Sequence, residues 1–406
     1  MQTKGLCAKM RWRRADLASI LLAARGFLRA SSAHAIVCLT GEFMSQSSAN
    51  QLSLFSSTSS GAGLSPLPGM LFVGALLLAG GVSEVGAQEW TLAGSSPASG
   101  NWNVPGNWNG GVPTDSVVGG FSRDFGDDTD CFVTATTSCG GITDDRQRDY
   151  AGTLTINTGV TLTLVDSTQT GTFTWDEAGN TGKLTIVGQL VLAGNMRWFV
   201  TNTVAGGVIT NTGLITFNGG SNRTWGAKAG IDFGNVTINK SAGGTAIDLI
   251  TNIRANDLTI TQGTLNVGAG EILTIDGNLV IGANGTLNIA DGGIVNVTGT
   301  TLVTGALNVG TGATGTFTSG TTTVAGTLDL GVGSTTTVTG NTILNGTAVV
   351  TVLTTGTLNT TGNMTLNGTS RLDMDNVSPI VDVNGTLTIA GGSVDQLGGT
   401  APSLTV

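Results

Sequence analysis

Short runs in which apolar and polar residues alternate recur through most of the chain from residue 152 onward. A period of two residues is typical of a β-strand that buries one face. In the cleanest part, residues 263–389, each repeat holds three such runs; in one repeat they cover residues 264–267, 272–275 and 278–281. The pattern predicts an all-β chain with about three short strands per repeat.

Two series of glycines separate these runs. Within each series, successive glycines lie about 21 residues apart. A repeat of this length is typical of solenoids. The two series also keep a nearly fixed phase to each other. The first series is Gly263, Gly285, Gly305, Gly326, Gly346 and Gly368, and the second is Gly277, Gly299, Gly320, Gly340, Gly362 and Gly385.

The alternation also predicts which side chains face the core when the repeats stack. The predicted inward residues are Leu265, Val267, Leu287, Ile289, Leu307, Val309, Leu328 and Leu330, and the predicted outward residues are Asn266, Asn288, Asn308 and Asp329. Parallel strands in successive coils lie ~4.8 Å apart, and crossovers between them are right-handed. The sequence therefore predicts a single-stranded right-handed parallel β-helix, a β-solenoid, with coils of about 21 residues.

The composition agrees with an extended repeat array. Glycine accounts for 64 of 406 residues, and charged residues make up 11% of the chain against about 25% in ordinary globular domains. The abundant threonine, valine and isoleucine disfavour the alternative of a flexible low-complexity chain. The net charge is −9, and it becomes −13 without the first 87 residues. Such an acidic chain is not expected to bind nucleic acid or anionic lipid.

Residues 1–87 differ from the rest and are predicted to be a leader. The apolar run at residues 71–82 precedes small residues that end at Ala87, as in a cleaved secretory signal peptide. This run is too short to span a bilayer, so no transmembrane span is expected. A second signal candidate covers residues 11–35, an internal start at Met44 or Met70 would shorten the leader, and a disordered tail is the remaining alternative.

Two cysteines remain beyond the leader, Cys131 and Cys139, and they are eight residues apart. In an exported chain such a pair favours a local disulfide. The alternative is two unpaired thiols. Zinc is disfavoured because the only histidine, His34, lies in the leader.

Residues 88–150 are predicted to form an N-terminal cap followed by an acidic loop. Three tryptophans, Trp90, Trp102 and Trp108, are concentrated at its start. A solenoid needs an atypical terminal repeat to cover its open apolar end, and large aromatic side chains do this with few residues. The alternative role for these tryptophans is stacking on carbohydrate.

The cap also carries a resemblance to a known family. The strings NWN at residues 101–103, GNWNGGVPT at 106–114 and DSVV at 115–118 resemble an opening segment of bacterial exported β-helix surface proteins, which are autotransporter-passenger-like or filamentous-haemagglutinin-like. The resemblance implies a secreted or cell-surface protein whose partners are extracellular glycans or host and matrix surfaces. No outer-membrane domain or sorting signal is recognisable before Val406, and we expect the sequence to be truncated there.

The acidic loop offers candidate metal ligands. Its clustered carboxylates suit Ca²⁺, but their spacing does not match an EF-hand. We favour a solvated loop and expect no cofactor. The weak calcium candidates are Asp124, Asp127, Asp128 and Asp130.

The coils of residues 151–262 are less regular than those of residues 263–406, and a binding surface is expected among them. These coils also hold four of the ten basic residues beyond the leader, namely Arg197, Arg223, Lys228 and Lys240. Thr-x-Thr pairs suggest an ice-binding face, but no predicted face carries them throughout. The pairs are Thr153 with Thr155, Thr161 with Thr163, Thr172 with Thr174, and Thr386 with Thr388.

No catalytic histidine is available beyond the leader, so histidine-dependent hydrolysis and His-ligated metal sites are excluded. A carboxylate cluster of Asp373, Asp375 and Asp382 with Arg371 leaves a polysaccharide lyase or glycosidase as an alternative. We predict a structural or adhesive surface protein without catalytic activity. A glycan- or ice-binding solenoid is the other alternative.

Overall fold

The computed structural model describes residues 9–11, 40–42, 88–90, 100–121, 130–144, 151–165, 171–175, 182–198, 207–241, 245–310, 314–375, 377–396 and 402–406. The chain divides into two units, Met1–Ser83 and Glu84–Val406. In the first unit, strand Lys9–Arg11 pairs in parallel with Thr40–Glu42. The predicted signal segment, residues 71–82 with Ala87, lies outside the described residues.

The second unit is a β-solenoid, as predicted, and its parallel strands stack coil on coil into three faces. Regular coils pass through the third face, then the first, then the second. The only helical turn among the described residues of this unit is the 3₁₀ turn Pro105–Asn107.

The first face consists of the following stacked strands: Thr137–Cys139, Thr161–Leu164, Gln189–Leu192, Leu214–Phe217, Val236–Asn239, the first parts of Leu258–Val267 and Leu279–Ile289, Thr301–Val303, Thr322–Val324, Thr342–Leu344, Met364–Asn367 and Leu387–Ala390. Two of its strands, Leu258–Val267 and Leu279–Ile289, run around a corner and continue into the second face.

The second face comprises Gln88–Glu89, Val118–Phe121, Gly141–Asp144, Phe173–Trp175, Met196–Trp198, Arg223–Ala227, Ala246–Leu249, the last parts of the two long strands, Ala306–Val309, Thr327–Leu330, Val349–Val352, Arg371–Met374 and Ser393–Gln396. The third face comprises Gly100–Asn101, Cys131–Val133, Thr153–Ile156, Lys183–Ile186, Ile209–Asn211, Ile253–Ala255, Ile272–Ile275, Ile294–Val297, Thr316–Ser319, Thr335–Val338, Thr357–Thr360, Ile380–Val383 and Ser403–Thr405.

The pairing register reproduces the period of the second glycine series. Leu279 pairs with Thr301, Thr301 pairs with Thr322, and Thr322 pairs with Thr342. Each of these intervals equals the interval between the two glycines that precede the same strands. One residue of the repeat therefore lies directly above its counterpart in the next coil.

The first glycine series keeps this register only as far as Gly326. Ala348 takes the next place in the stack, because the N–H of Val349 donates to the carbonyl of Gly326 at 3.0 Å. Gly346 lies in a turn with φ of 63°, two residues before that place in the stack. The turn is longer here, so equal spacing along the sequence did not mean an equivalent position in the coil.

The core lies between the three faces, and all eight predicted inward residues are 0–1% exposed. Its composition changes along the solenoid. Up to Phe233 large aromatic side chains fill it, among them Phe121, Trp175, Trp198 and Trp225, whereas Phe317 is the only buried aromatic residue described beyond Phe233. Aromatic side chains therefore fill the core of the solenoid up to Phe233, and stacked aliphatic side chains fill most of the core beyond it.

Candidate functional site

The three cap tryptophans lie inside the first coils. Trp90, Trp102 and Trp108 are 2%, 0% and 4% exposed. The ring of Trp108 packs edge-on against Trp90 at 5.0 Å and against Trp102 at 4.6 Å between centroids, and its Nε1–H donates to the carbonyl of Trp102 at 2.7 Å. This arrangement fits the capping interpretation, and it leaves no exposed indole face on these three residues for a sugar to stack on.

The two cysteine thiols are unbridged and buried, contrary to the predicted disulfide. Cys131 lies on the third face beside Leu154, whereas Cys139 lies on the first face beside Leu164. The chain turns a corner between them, so nearness in sequence does not bring the two sulfur atoms together. Burial raises the pKa of Cys131 and raises that of Cys139 to about 12, so both thiols stay protonated.

Of the four weak calcium candidates, only Asp130 belongs to the described residues. Its Oδ1 accepts a hydrogen bond of 2.8 Å from the N–H of Thr153, which begins the next strand of the third face. Asp124, Asp127 and Asp128 lie outside the described residues. In the part of the chain that the structure describes, no three potential metal ligands come together.

Of the four basic residues in the less regular coils, Lys240 is 0% exposed. Its Nζ donates to the carbonyl of Asn218 at 2.7 Å. Gly263 makes room for it, since a Cβ on that glycine would lie 2.6 Å from Cγ of Lys240. Arg223 also reaches back to the protein, donating from Nε to the carbonyl of Ala193 at 3.1 Å. Lys240 is therefore not available to a binding surface on these coils.

The carboxylates of the alternative catalytic cluster lie on two faces. Asp373 is on the second face and accepts hydrogen bonds from Arg371, with 3.1 Å between Nε and Oδ1. Asp382 is on the third face and pairs with Asn359. Asp375 accepts a hydrogen bond of 3.4 Å from the hydroxyl of Thr354. The buried carboxylate of Asp373 is thus paired with a guanidinium, and the same Arg371 lies 3.7 Å from the carboxylate of Asp395, which pairs with Asp373 in the next coil.

Outward amide side chains on the second face join one coil to the next. Asn266 donates from Nδ2 to Asp248 at 2.6 Å, Asn288 donates to Asn266 at 3.0 Å, and Asn308 donates to Asn288 at 2.8 Å. The predicted outward positions and their register are confirmed. We call this chain of hydrogen bonds, Asp248 to Asn308, the amide ladder.

A second series of side chains links the coils at the corner before the first face. Oδ1 of Asp257 accepts from the N–H of Asn278 at 2.7 Å, and Oδ1 of Asn278 accepts from the N–H of Thr300 at 2.9 Å. Asn341 and Asn363 repeat the contact one coil further each time. Our sequence analysis missed this series, which we call the corner ladder. Its signal was present, because Asn or Thr follows every glycine of the second series.

A cavity of about 370 Å³ opens beside the second face where the strands Ala306–Val309 and Thr327–Leu330 end. Asn308, Asp329, Gly331, Val332 and Leu353 contribute to its lining. Asp329 is the only carboxylate in this lining, Asn308 contributes an amide, and the other walls are backbone and aliphatic side chains. The cavity therefore has neither the pair of acids that glycoside hydrolysis requires nor a set of metal ligands.

The third face carries a different outward surface between Ile272–Ile275 and Thr357–Thr360. The paired rows present Thr316 with Thr318, then Thr335 with Thr337, in register. All outward residues of these five strands are uncharged and half-buried; they are Ile272, Thr274, Ile294, Asn296, Thr316, Thr318, Thr335, Thr337, Thr357 and Asn359. We call this surface the hydroxyl face.

Comparison with known proteins adds no relative: the chain matches no protein-family model, no curated protein and no solved structure. The fold thus defines the class of this protein, a parallel β-solenoid. Among the residues that the structure describes, none forms a helix with the length and hydropathy needed to span a membrane.

Proposed function

We propose that the chain is a secreted or cell-surface structural solenoid that bears mechanical load or holds an adhesive surface, without catalytic activity. The observation that carries the proposal is the use of outward polar side chains along the solenoid axis. Side chains of the amide ladder bond to one another from coil to coil: the Asn266 amide donates to the Asp248 carboxylate at 2.6 Å, and the two amide–amide contacts measure 3.0 and 2.8 Å. Side chains used in this way connect coils and are not presented to a ligand.

Two further observations support a non-catalytic role. Asp373, the most buried described carboxylate of the alternative cluster, is held by Arg371. The cavity beside the second face contains one carboxylate, Asp329. The resemblance of residues 101–118 to exported bacterial surface proteins motivates the location, and extracellular glycans or matrix surfaces are the partners that it suggests.

Single-molecule stretching of the full chain between its termini tests the structural role. We expect coils to be released one at a time, each adding about 75 Å for about 22 residues at full extension. Asn288→Ala removes two hydrogen bonds of the amide ladder and should lower the force needed to release the neighbouring coils. Thr365→Ala, an outward residue of the first face, is the matched control and should leave that force unchanged.

A parallel assay tests the enzymatic alternative. The purified chain is incubated with a panel of acidic and neutral polysaccharides, and newly formed reducing ends or unsaturated products are measured. We expect none. Product formation that disappears in Asp373→Asn would overturn the proposal in favour of a polysaccharide-acting enzyme, while retention on a glycan array without product formation would support an adhesive role.

A further inference from the structure

The three faces of the regular coils differ in how their outward side chains are used. The amide ladder on the second face satisfies its own hydrogen-bonding groups, as in the contact of Asn308 with Asn288 at 2.8 Å. The first face presents mainly aliphatic and threonine side chains in one outward column, which runs through Val280, Leu302, Thr323, Ile343 and Thr365. In the regular coils that the structure describes, the hydroxyl face stacks threonines without a side-chain hydrogen bond in three successive coils, whereas Ala306 interrupts the outward threonine column of the second face.

The hydroxyls of Thr316, Thr318, Thr335, Thr337 and Thr357 make no side-chain hydrogen bond within the described part of the chain. Each hydroxyl can donate one hydrogen bond and accept two. Each of these residues also presents a methyl group. The hydroxyl face therefore presents outward methyl groups together with hydroxyl donors and acceptors that are not used in side-chain hydrogen bonds within the described part of the chain.

The positions of these groups are fixed by the strand pairing. Thr316 pairs with Thr335 and Thr335 pairs with Thr357, so successive rows lie ~4.8 Å apart. Within a row, residues two apart on one strand are separated by ~6.7 Å. The hydroxyls thus form a two-dimensional net whose spacing is set by the backbone.

The chemistry of the face excludes several kinds of ligand. No outward residue of its five strands is charged, so it lacks the means to hold an anion or a cation. It has no aromatic side chain on which a pyranose could stack and no concave wall to enclose a soluble ligand. An uncharged net of hydroxyls and methyls, with its spacing set by strand pairing, suits a partner that is itself periodic and bonds through hydroxyl-like groups.

We propose that the hydroxyl face binds ice, the ordered lattice of water. The methyl groups order adjacent water, and the hydroxyls take places in its hydrogen-bond network at intervals imposed by the strands. Because the lattice repeats, several weak contacts act together, which a single mobile hydroxyl on a loop could not achieve. The inference rests on the fold and on this face, and not on the structural role proposed above.

The test uses the full chain in an ice-recrystallisation assay and in partition of a fluorescent label into a growing ice hemisphere. We expect the unmodified chain to inhibit recrystallisation and to enter the ice. Thr337→Lys places a long charged side chain in the middle of the net and should abolish both effects. Thr365→Lys, at an outward position of the first face, carries the same charge and should retain them.

Circular dichroism of each variant verifies that the solenoid is intact, and Thr318→Val supplies a milder change that removes one hydroxyl and keeps its methyl group. The proposal is overturned if the unmodified chain is excluded from ice, or if Thr365→Lys loses activity as completely as Thr337→Lys. Retention on crystalline cellulose or chitin, lost in Thr337→Lys and without any effect on ice, would also overturn it by assigning the face to a solid polysaccharide. Stretching experiments are independent of all these outcomes.

Discussion

At the scale of single residues, one coil approaches the next closely at the glycines of the second series. A Cβ on Gly299 would lie 2.4 Å from the carbonyl oxygen of Gly277, and the N–H of Gly299 donates to that same oxygen at 2.9 Å. The neighbour is backbone, which cannot rotate away as a side chain would. Glycine is required here by space between coils.

The first prediction concerns this contact. Gly299→Ala should destabilise the solenoid by about 2–3 kcal/mol, because the added methyl group forces two paired backbones apart. Gly106→Ala is the control, since nothing lies within 4 Å of a Cβ at that position. The measurement is the midpoint of urea denaturation for both variants. An equal, small shift in the two would show that the coils separate more easily than this geometry implies.

Hydroxyl groups in the core provide a second case at this scale. Thr336 is 0% exposed and its hydroxyl has no hydrogen-bond partner among the described residues. The equally buried Thr342 pairs its hydroxyl with that of Thr360 at 2.8 Å. A buried hydroxyl without a partner costs free energy, whereas a paired one does not.

The two threonines should therefore respond in opposite directions to the same substitution. Thr336→Val is expected to raise the free energy of unfolding by about 1 kcal/mol, since the replacement keeps the shape and removes an unpaired polar group. Thr342→Val is expected to lower it by about 1–3 kcal/mol, because Thr360 loses its partner. Calorimetric melting temperatures measure both, and a loss of stability in Thr336→Val would reveal a partner for that hydroxyl.

The buried thiol of Cys139 predicts a dependence of stability on pH. Its folded pKa is about 12, above the ordinary value of 9.0, because burial disfavours the thiolate. In the unfolded chain the thiol ionises near pH 9, while the folded chain keeps the proton. Its contribution is therefore complete below pH 9 and is lost as pH rises toward 12, by about 1.4 kcal/mol per pH unit.

Cys139→Ala should remove the part of the decrease in the free energy of unfolding above pH 9 that is due to this thiol. Denaturation at a series of pH values between 8 and about 11 provides the slope, and the comparison of slopes isolates the thiol from lysines that titrate in the same range. The variant and the unmodified protein are not expected to have the same free energy of unfolding, because the substitution also shortens a core side chain. Parallel slopes in the two proteins would contradict the assignment of a protonated thiol.

Residue orientation was the most predictable property of this chain. Strict alternation placed Leu287 and Ile289 inward and Asn288 outward, and the structure agrees, because a period of two leaves no other choice once a strand is half-buried. The pairing of Thr342 with Thr360 was not predictable. These residues lie on different faces, and their contact depends on how the corner between the faces turns.

At the scale of elements, the corner ladder explains why the coils stay in register. Asn278 accepts a hydrogen bond from the N–H of Thr300 and another from its hydroxyl at 2.8 Å. The side chain of one coil thus satisfies a backbone group of the next at a point where strand pairing is interrupted. Glycine followed by Asn or Thr is also typical of turns, so the sequence alone does not indicate its coil-to-coil role.

The N-terminal cap is a second element, and its predicted role is to cover an open apolar end. Trp108→Ala should cost about 3–5 kcal/mol, the usual loss for a buried aromatic ring, and the effect should be greatest near the strand Val118–Phe121. Hydrogen exchange of backbone amides in the first coils measures it. Val104→Ala is the control in the same segment, since Val104 is 45% exposed. Uniform loss of protection along the whole solenoid would contradict a local cap.

The failed prediction of a disulfide has an elementary cause. Cys131 and Cys139 are eight residues apart, close enough for a loop to join them, and sequence spacing carries no information about corners. The strands Cys131–Val133 and Thr137–Cys139 belong to different faces. Corner positions depend on which short segment between strands bends, and residues 134–136 contain no glycine or proline to mark it.

At the scale of the whole molecule, the solenoid has two kinds of core. Each coil contacts mainly its neighbours, so regions of different packing can unfold separately. All seven tryptophans of the chain lie at or before Trp225, and the described core beyond Phe233 contains only Phe317 as a buried ring. Within the solenoid, tryptophan fluorescence therefore reports the first part and is silent about the second.

Unfolding followed by tryptophan fluorescence and by far-ultraviolet circular dichroism should give different midpoints, because circular dichroism reports all coils. Gly299→Ala, which lies in the second part, should shift the dichroism transition toward lower urea and leave the fluorescence transition in place. Coincident transitions that move together in this variant would show one cooperative unit, as in a small globular domain.

Function was less predictable from sequence than fold. The absence of histidine beyond the leader removed many catalytic mechanisms, but the difference between the faces needed the register. Thr316, Thr335 and Thr357 form one column although unequal intervals separate them along the chain, and the sequence alone does not show that they are stacked. Because the coil lengths are unequal, Thr-x-Thr pairs in the sequence do not show which threonines stack above one another.

The lengthened turn at Gly346 shows that the chain tolerates additions at its corners. Two extra residues are accommodated there, while Val349 still pairs with Thr327 and Arg371 still pairs with Val349. Lengthening a loop that is already closed costs little, about 0.6 kcal/mol for each doubling. A foreign peptide spliced in after Asn345 would therefore project from a chosen height of the solenoid without disturbing the coils on either side. The same property would allow a lineage to acquire new epitopes by insertion at corners while its scaffold is preserved.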